Sequence, residues 1–106
     1  MTPQVFFEEK LSKGLAADPS RASAIGAVYQ FNITGDDGGS WNVDLTKSEG
    51  WVTAGESEAE CTITMASTDF MDMVTGKLPG PQAFMQGKLK IAGNMALAMK
   101  LSNVLG

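Results

Sequence analysis

The sequence predicts a domain made of both helices and strands, on three observations. Near the start, Phe7, Leu11 and Leu15 recur at a four-residue spacing, with Glu8, Glu9, Lys10 and Lys13 off that stripe. This is the pattern of an amphipathic helix. In the middle, apolar and polar residues alternate in short runs separated by glycine-bearing turns, the pattern of an antiparallel meander. From Cys61 onward, strand-like and helix-like pieces take turns to the end of the chain.

The first helix is expected over residues 3 to 17. Pro3 suits its first turn, and Asp18-Pro19 marks its exit. The next predicted element is a strand in which Tyr29, Phe31 and Ile33 alternate with Gln30, Asn32 and Thr34. The turn "TGDDGGS" (34 to 40) leads into a second strand, with Trp41, Val43 and Leu45 on one side. "TKSEG" (46 to 50) turns again into a short strand from Trp51 to about Ala54. "GESEAE" (55 to 60) reads as an exposed acidic loop.

A fourth strand carries Cys61, Ile63 and Met65 on one side. Ser67 is then placed to cap a helix, with Asp69 in its first turn and Phe70, Met73 and Val74 as its apolar face. Gly76 stops that helix. "KLPGPQ" (77 to 82) is a loop, and "AFMQG" is one helical turn or an irregular link. Lys88 to Ile91 is a fifth strand. Asn94 caps a last helix running to about Leu105.

With 106 residues the chain suits a single domain, 1–106. Hydrophobic content is 43% and charged content 19%, a globular mix. One cysteine, Cys61, excludes an internal disulfide and fits a reducing compartment. No secretory signal is read at the start and no apolar run is long enough to span a bilayer, so a cytoplasmic location is expected. The net charge of −4 argues against nucleic acid as a partner. That charge is split: every acid lies in residues 1–76, whereas Lys77, Lys88, Lys90 and Lys100 stand in a segment with none.

The last helix carries more apolar surface than a sheet can cover. At roughly 100° per residue, Leu97, Ala98, Leu101, Val104 and Leu105 share a side that Met95 and Met99 widen to an arc of roughly 220°. The surplus faces another helix, another protein, a membrane or a ligand.

Much chemistry is missing. There is no histidine, which removes histidine-assisted nucleophiles and histidine metal sites. A single cysteine makes no thiolate zinc site, and neither Gly-Lys pair has the frame of a phosphate loop. No catalytic residue, metal or cofactor is expected. Cys61 shares a face with Ile63 and Met65 and reads as a small core residue.

The segment "GKLPGPQAFMQGKLKIAGNMALAMKL" (76 to 101) resembles the sterol carrier protein family of non-specific lipid-transfer domains, and the order of elements upstream fits the same family. The resemblance implies an α+β fold: a five-stranded mixed, mostly antiparallel sheet covered on one face by helices, with an apolar tunnel between them for a lipid or acyl ligand. It implies Phe70, Met73 and Val74 as one wall, Phe84 and Met85 near the mouth, and Ile91, Met95, Leu97 and Met99 along the floor and helix side. The four lysines, 77, 88, 90 and 100, would form a rim for a head group or an anionic membrane. The chain ends Val104-Leu105-Gly106 where eukaryotic members often carry a peroxisomal tripeptide, which again points to the cytoplasm.

The expectation is therefore a non-enzymatic carrier of fatty acid, acyl-CoA, sterol or another lipid, acting as a monomer or weak dimer. The alternative is an interaction or dimerisation module that uses the apolar C-terminal helix.

Overall fold

The computed structural model of the chain describes residues 2–100. The predicted continuation of the last helix, with Leu101, Asn103, Val104 and Leu105, lies outside the described residues.

The N-terminal helix forms where the stripe predicted it, but it is not α-helical throughout. α1 (Pro3–Val5) passes into a π-helical segment (Phe6–Leu11) and then into α2 (Ser12–Ala17), with helical backbone angles at both junctions. Thr2 caps the start, its hydroxyl accepting from the Val5 N–H at 3.3 Å. In the wider π turn, the Ser12 hydroxyl donates to the Phe7 carbonyl at 3.1 Å. Both Phe6 and Phe7 are buried there, together with Leu11 and Leu15.

A second helix, α3 (Pro19–Ile25), follows at once and was not expected from the sequence. Asp18-Pro19 does end one helix, but proline is also well placed in the first turn of the next. The segment has no apolar stripe, and Ala22 is its one buried residue, so periodicity had nothing to report.

The sheet has five strands: β1 (Val28–Thr34), β2 (Gly39–Asp44), β3 (Val52–Ala54), β4 (Cys61–Ala66) and β5 (Lys90–Gly93). Their order is β3-β2-β1-β4-β5. β1 pairs parallel with β4, and the other pairs are antiparallel. The sheet is thus mixed, mostly antiparallel and open. Among the described residues, three more helices follow: α4 (Ser67–Val74), α5 (Gly80–Met85) and α6 (Met95–Met99).

Register sorts the side chains by face. Phe31 stands opposite Trp41 on one side and Ile63 on the other, and Ile63 stands opposite Ile91. This inner face, with Tyr29, Val43, Cys61 and Met65, is covered by helices. Phe7 is its hub, with ring centroids 4.9 Å from Trp41, 5.0 Å from Phe31 and 5.1 Å from Phe70. Phe6 meets Phe70 edge-on at 5.5 Å. Such contacts add to the burial of the rings themselves.

The outer face is polar but not all wet. Gln30 and Asn42 are buried, and each is hydrogen-bonded. Asn42 donates to the Gln30 side-chain oxygen at 3.1 Å, and Gln30 donates to the Gly55 carbonyl at 3.2 Å. The Ser57 N–H donates to the same Gln30 oxygen at 3.2 Å. Loop 55–60 therefore keeps its glutamates in water, as expected, while its backbone lies against the sheet.

Several predicted boundaries move. α5 begins at Gly80, inside the predicted loop 77–82, with Pro81 in its first turn, where a proline's missing N–H costs nothing. Ser67 is the first residue of α4 rather than its cap; Ala66 holds the cap position without a side-chain bond. β5 begins at Lys90 rather than Lys88, because the Lys88 N–H is already committed to the Ala83 carbonyl at 2.9 Å.

Candidate functional site

The predicted apolar residues all lie on α4, α5, β5 and α6, and the structure sorts them by burial. Phe70 and Leu97 are buried. Met73, Val74 and Ile91 are half-buried against the core. Phe84, Met85, Met95 and Met99 are exposed, with Met85 at 85% and Met99 at 79%. The nine therefore range from buried to exposed.

Local chemistry fixes each element. The end of α5 is a Schellman motif: the Lys88 N–H reaches the Ala83 carbonyl at 2.9 Å and the Gly87 N–H reaches the Phe84 carbonyl at 3.1 Å. Gly87 sits at φ +75°, the left-handed conformation that this closure needs. Ala83 is fully buried, which fixes the face that α5 presents inward and leaves Phe84 and Met85 outside.

α6 is set by its start. The Asn94 side chain accepts from the N–H groups of Ala96 and Leu97, as predicted for a cap. The Asn94 N–H is held by the Glu60 carbonyl at 2.8 Å. Just before it, Gly93 has φ +99°, and a Cβ there would stand 2.4 Å from that same Glu60 oxygen. The far end is tied by Tyr29, whose hydroxyl donates to the Leu97 carbonyl at 2.6 Å. Burial pushes the Tyr29 phenol up to about 12, with smaller contributions from Cys61 and Glu60. Burial also pushes the Cys61 thiol up.

The four lysines are all exposed, but the structure divides them. Lys77 follows α4, and Lys88 follows α5 with its amine 4.0 Å from the Asp69 carboxylate. Lys90 pairs with Thr64, on the face of the sheet away from the helices. Lys100 ends α6.

A separate cleft of about 250 Å³ lies between Pro3, Asp37, Ser67, Thr68, Met71 and Asp72. It shares no residue with the predicted apolar set. Among the described residues, no group of three or more Cys, Asp or Glu side chains is arranged to hold a metal ion, and no helix is long and apolar enough to cross a membrane. Sequence reasoning missed Phe6 and the part played by Tyr29. The adjacent Phe6-Phe7 pair was the visible signal for the first; nothing local signals a bond to residue 97.

An open, mixed five-stranded sheet with helices on one face defines an α+β domain. The chain belongs to the SCP-2 sterol transfer family, whose model matches residues 7–106. It is 48% identical over 81 residues to hydroxysteroid dehydrogenase-like protein 2 of Bos taurus, covering 74% of this chain and 19% of that protein. It is 46% identical over 84 residues to sterol carrier protein 2 of Homo sapiens, covering 76% of this chain and 15% of that protein. The chain thus spans less than a fifth of the length of these curated relatives. Among solved structures it resembles palmitated SCP2L2 of Aedes aegypti, with a TM-score of 0.79 and 28% identity over 99% of this chain and 95% of that one. Family and fold neighbours together support lipid binding and transfer as the domain's function.

Proposed function

We propose that residues 1–106 form one carrier domain that binds a long-chain fatty acid or acyl-CoA and has no catalytic role of its own. The observation that carries this reading is the run of apolar side chains from buried to exposed along α4, α5, β5 and α6, in a chain of the SCP-2 family. The acyl chain lies in a tunnel against Met73, Val74, Ile91 and Leu97, with Met95 and Met99 closing over it and Phe84 and Met85 at the mouth. Phe70 backs that wall from the aromatic cluster. Binding is driven by taking acyl surface out of water, about 0.8 kcal/mol per buried CH2. Flexible thioethers suit cargo of varied shape.

The domain works as a monomer in the cytoplasm on this reading. The palmitate named with the Aedes aegypti structure supports the ligand class. The test is titration of a fluorescent fatty acid in vesicle-free buffer, with palmitate as competitor. A saturable signal displaced by palmitate is expected. Absence of such a signal overturns the reading, and a concentration-dependent mass without ligand binding favours the interaction module instead.

A further inference from the structure

We propose that Met85, Met95 and Met99 are oxidation sites, where a peroxide adds one oxygen to each thioether and switches the carrier from holding its cargo to releasing it. The release rests on the reading of the chain as a lipid carrier; the choice of sulfurs does not.

The first ground is how the fold sorts its methionines. Six lie among the described residues. Met65 is sealed in β4 at 3% exposure, and Met71 and Met73 in α4 are half-buried. Met85, Met95 and Met99 are 85%, 47% and 79% exposed. A peroxide in water reaches these three without any opening of the fold. Met85 closes α5, where the buried Ala83 fixes which side of the helix faces inward. Met95 and Met99 lie one turn apart on α6, so they share a side of that helix. The core holds Met65, with Met71 and Met73 packed against it, and none of the three exposed residues. Oxidising those three therefore leaves the packing around Phe7 intact.

The second ground is the lack of a competing thiol. A peroxide is consumed first by an accessible thiolate. Cys61 is the single cysteine, it is fully buried, and burial pushes its thiol up. Thioethers are thus the sulfurs that the native protein presents to an oxidant.

The step balances with the peroxide alone. A sulfur lone pair attacks one peroxide oxygen, the O–O bond breaks, and the other oxygen takes up a proton and leaves as water. Sulfur loses two electrons, the peroxide gains two, and the product is a methionine sulfoxide. That group is polar, whereas the thioether was apolar and a weak acceptor. On the carrier reading Met95 and Met99 close over the acyl chain and Met85 lies at the mouth. A sulfoxide in those places would exchange water for hydrocarbon at a cost, so it stays in solvent and the cargo loses its cover. The change is reversible: sulfoxide reductases, one for each epimer, return the oxygen as water while a dithiol becomes a disulfide.

The test treats ligand-free protein with hydrogen peroxide and maps the added oxygen over time by peptide mass spectrometry. Oxygen is expected on Met85 and Met99 first and Met95 next, on Met71 and Met73 later, and on Met65 only in urea. Each sample is then titrated with a fluorescent fatty acid in vesicle-free buffer. Affinity should fall by about tenfold and return after treatment with reductases for both epimers and dithiothreitol. Replacing the three together, Met85→Leu, Met95→Leu and Met99→Leu, removes the reactive sulfurs; this variant, compared with its own untreated form, should show no fall on peroxide treatment. Oxygen entering Met65 or Cys61 of the native protein as fast as Met85 overturns the proposal. So does an oxidised protein with undiminished affinity, or a leucine variant that falls as far as the wild type. Loss of the native circular dichroism on oxidation overturns it too, since the change is then damage to the fold. A protein that binds no fatty acid before treatment overturns the carrier reading and the release with it, and the order of oxidation alone then decides the three sites.

Discussion

The Tyr29 hydroxyl in β1 donates a 2.6 Å hydrogen bond to the Leu97 carbonyl in α6, joining residues 68 apart in the chain. The phenol is fully buried, and burial raises its pKa from 10.0 to about 12. Below about pH 10 the folded and unfolded chains both keep this proton, so the stabilisation is complete. Between about 10 and 12 the unfolded chain loses the proton first, and stability falls by about 1.4 kcal/mol per pH unit from this group. Burial of Cys61 acts in the same direction. Urea midpoints at about pH 9 and about pH 11 should therefore differ in the wild type and differ less in Tyr29→Phe. At neutral pH that variant should lose only about 1 kcal/mol, because the Leu97 carbonyl also accepts from the Lys100 N–H at 3.0 Å.

Gly93→Ala tests how closely β4 and the start of α6 must approach. The new Cβ meets the Glu60 carbonyl at 2.4 Å and demands an unfavourable φ of +99°. A loss of about 1 to 3 kcal/mol is expected from the strain alone, measured by urea unfolding. Gly76→Ala is the control, with a comparable φ of +85° and nothing within 4 Å of the added atom. If both cost the same, the close approach contributes nothing.

Phe7 and the two exposed methionines of α6 should separate stability from binding. Phe7→Ala removes the ring shared by Phe31, Trp41 and Phe70 and should cost about 3 to 5 kcal/mol. Met95→Gln and Met99→Gln alter exposed side chains and should stay within about 0.5 kcal/mol of wild type while weakening fatty-acid binding. If either methionine variant unfolds readily, that residue belongs to the core and not to the site.

Cys61 should be inert in the native protein. Its side chain is fully buried, and burial raises the thiol pKa, so little thiolate forms and no reagent reaches it. Ellman's reagent near pH 8 should label it only as the chain opens, and at once in urea. Rapid native labelling would mean that β4 is accessible from the helix side.

Period-two alternation made β1, β2 and β4 legible, since Tyr29, Phe31, Ile33, Trp41, Val43, Cys61, Ile63 and Met65 all turned inward as the pattern required. It failed where burial comes from above. Gln30 and Asn42 read as wet-face residues, yet the backbone of loop 55–60 covers them and supplies their partners. A four-residue stripe located the N-terminal helix but not its π turn, because a spacing of four suits both the α turn and the wider π turn. α3 escaped because composition without an apolar face leaves no period to read. For the candidate site, sequence placed the nine apolar residues on neighbouring elements but not their depth. Burial of Phe70 and exposure of Met85 depend on which helix covers which strand, and that is not local information.

The one parallel pairing among the described strands has a topological consequence. β3, β2 and β1 come from residues 28–54, and β4 and β5 come from residues 61–93, so the sheet is two contiguous pieces of chain sewn along β1 and β4. The thread between them is the loop that crosses Gln30 and Asn42. A cut there severs no strand and no helix. Fragments 1–56 and 57–106 should therefore reconstitute when co-expressed, recovering native fluorescence of Trp41 and Trp51, and Tyr29→Phe should weaken the reunion because its hydroxyl spans the suture. Fragments that never associate would show that the covalent crossing, and not the seam, holds the halves in register.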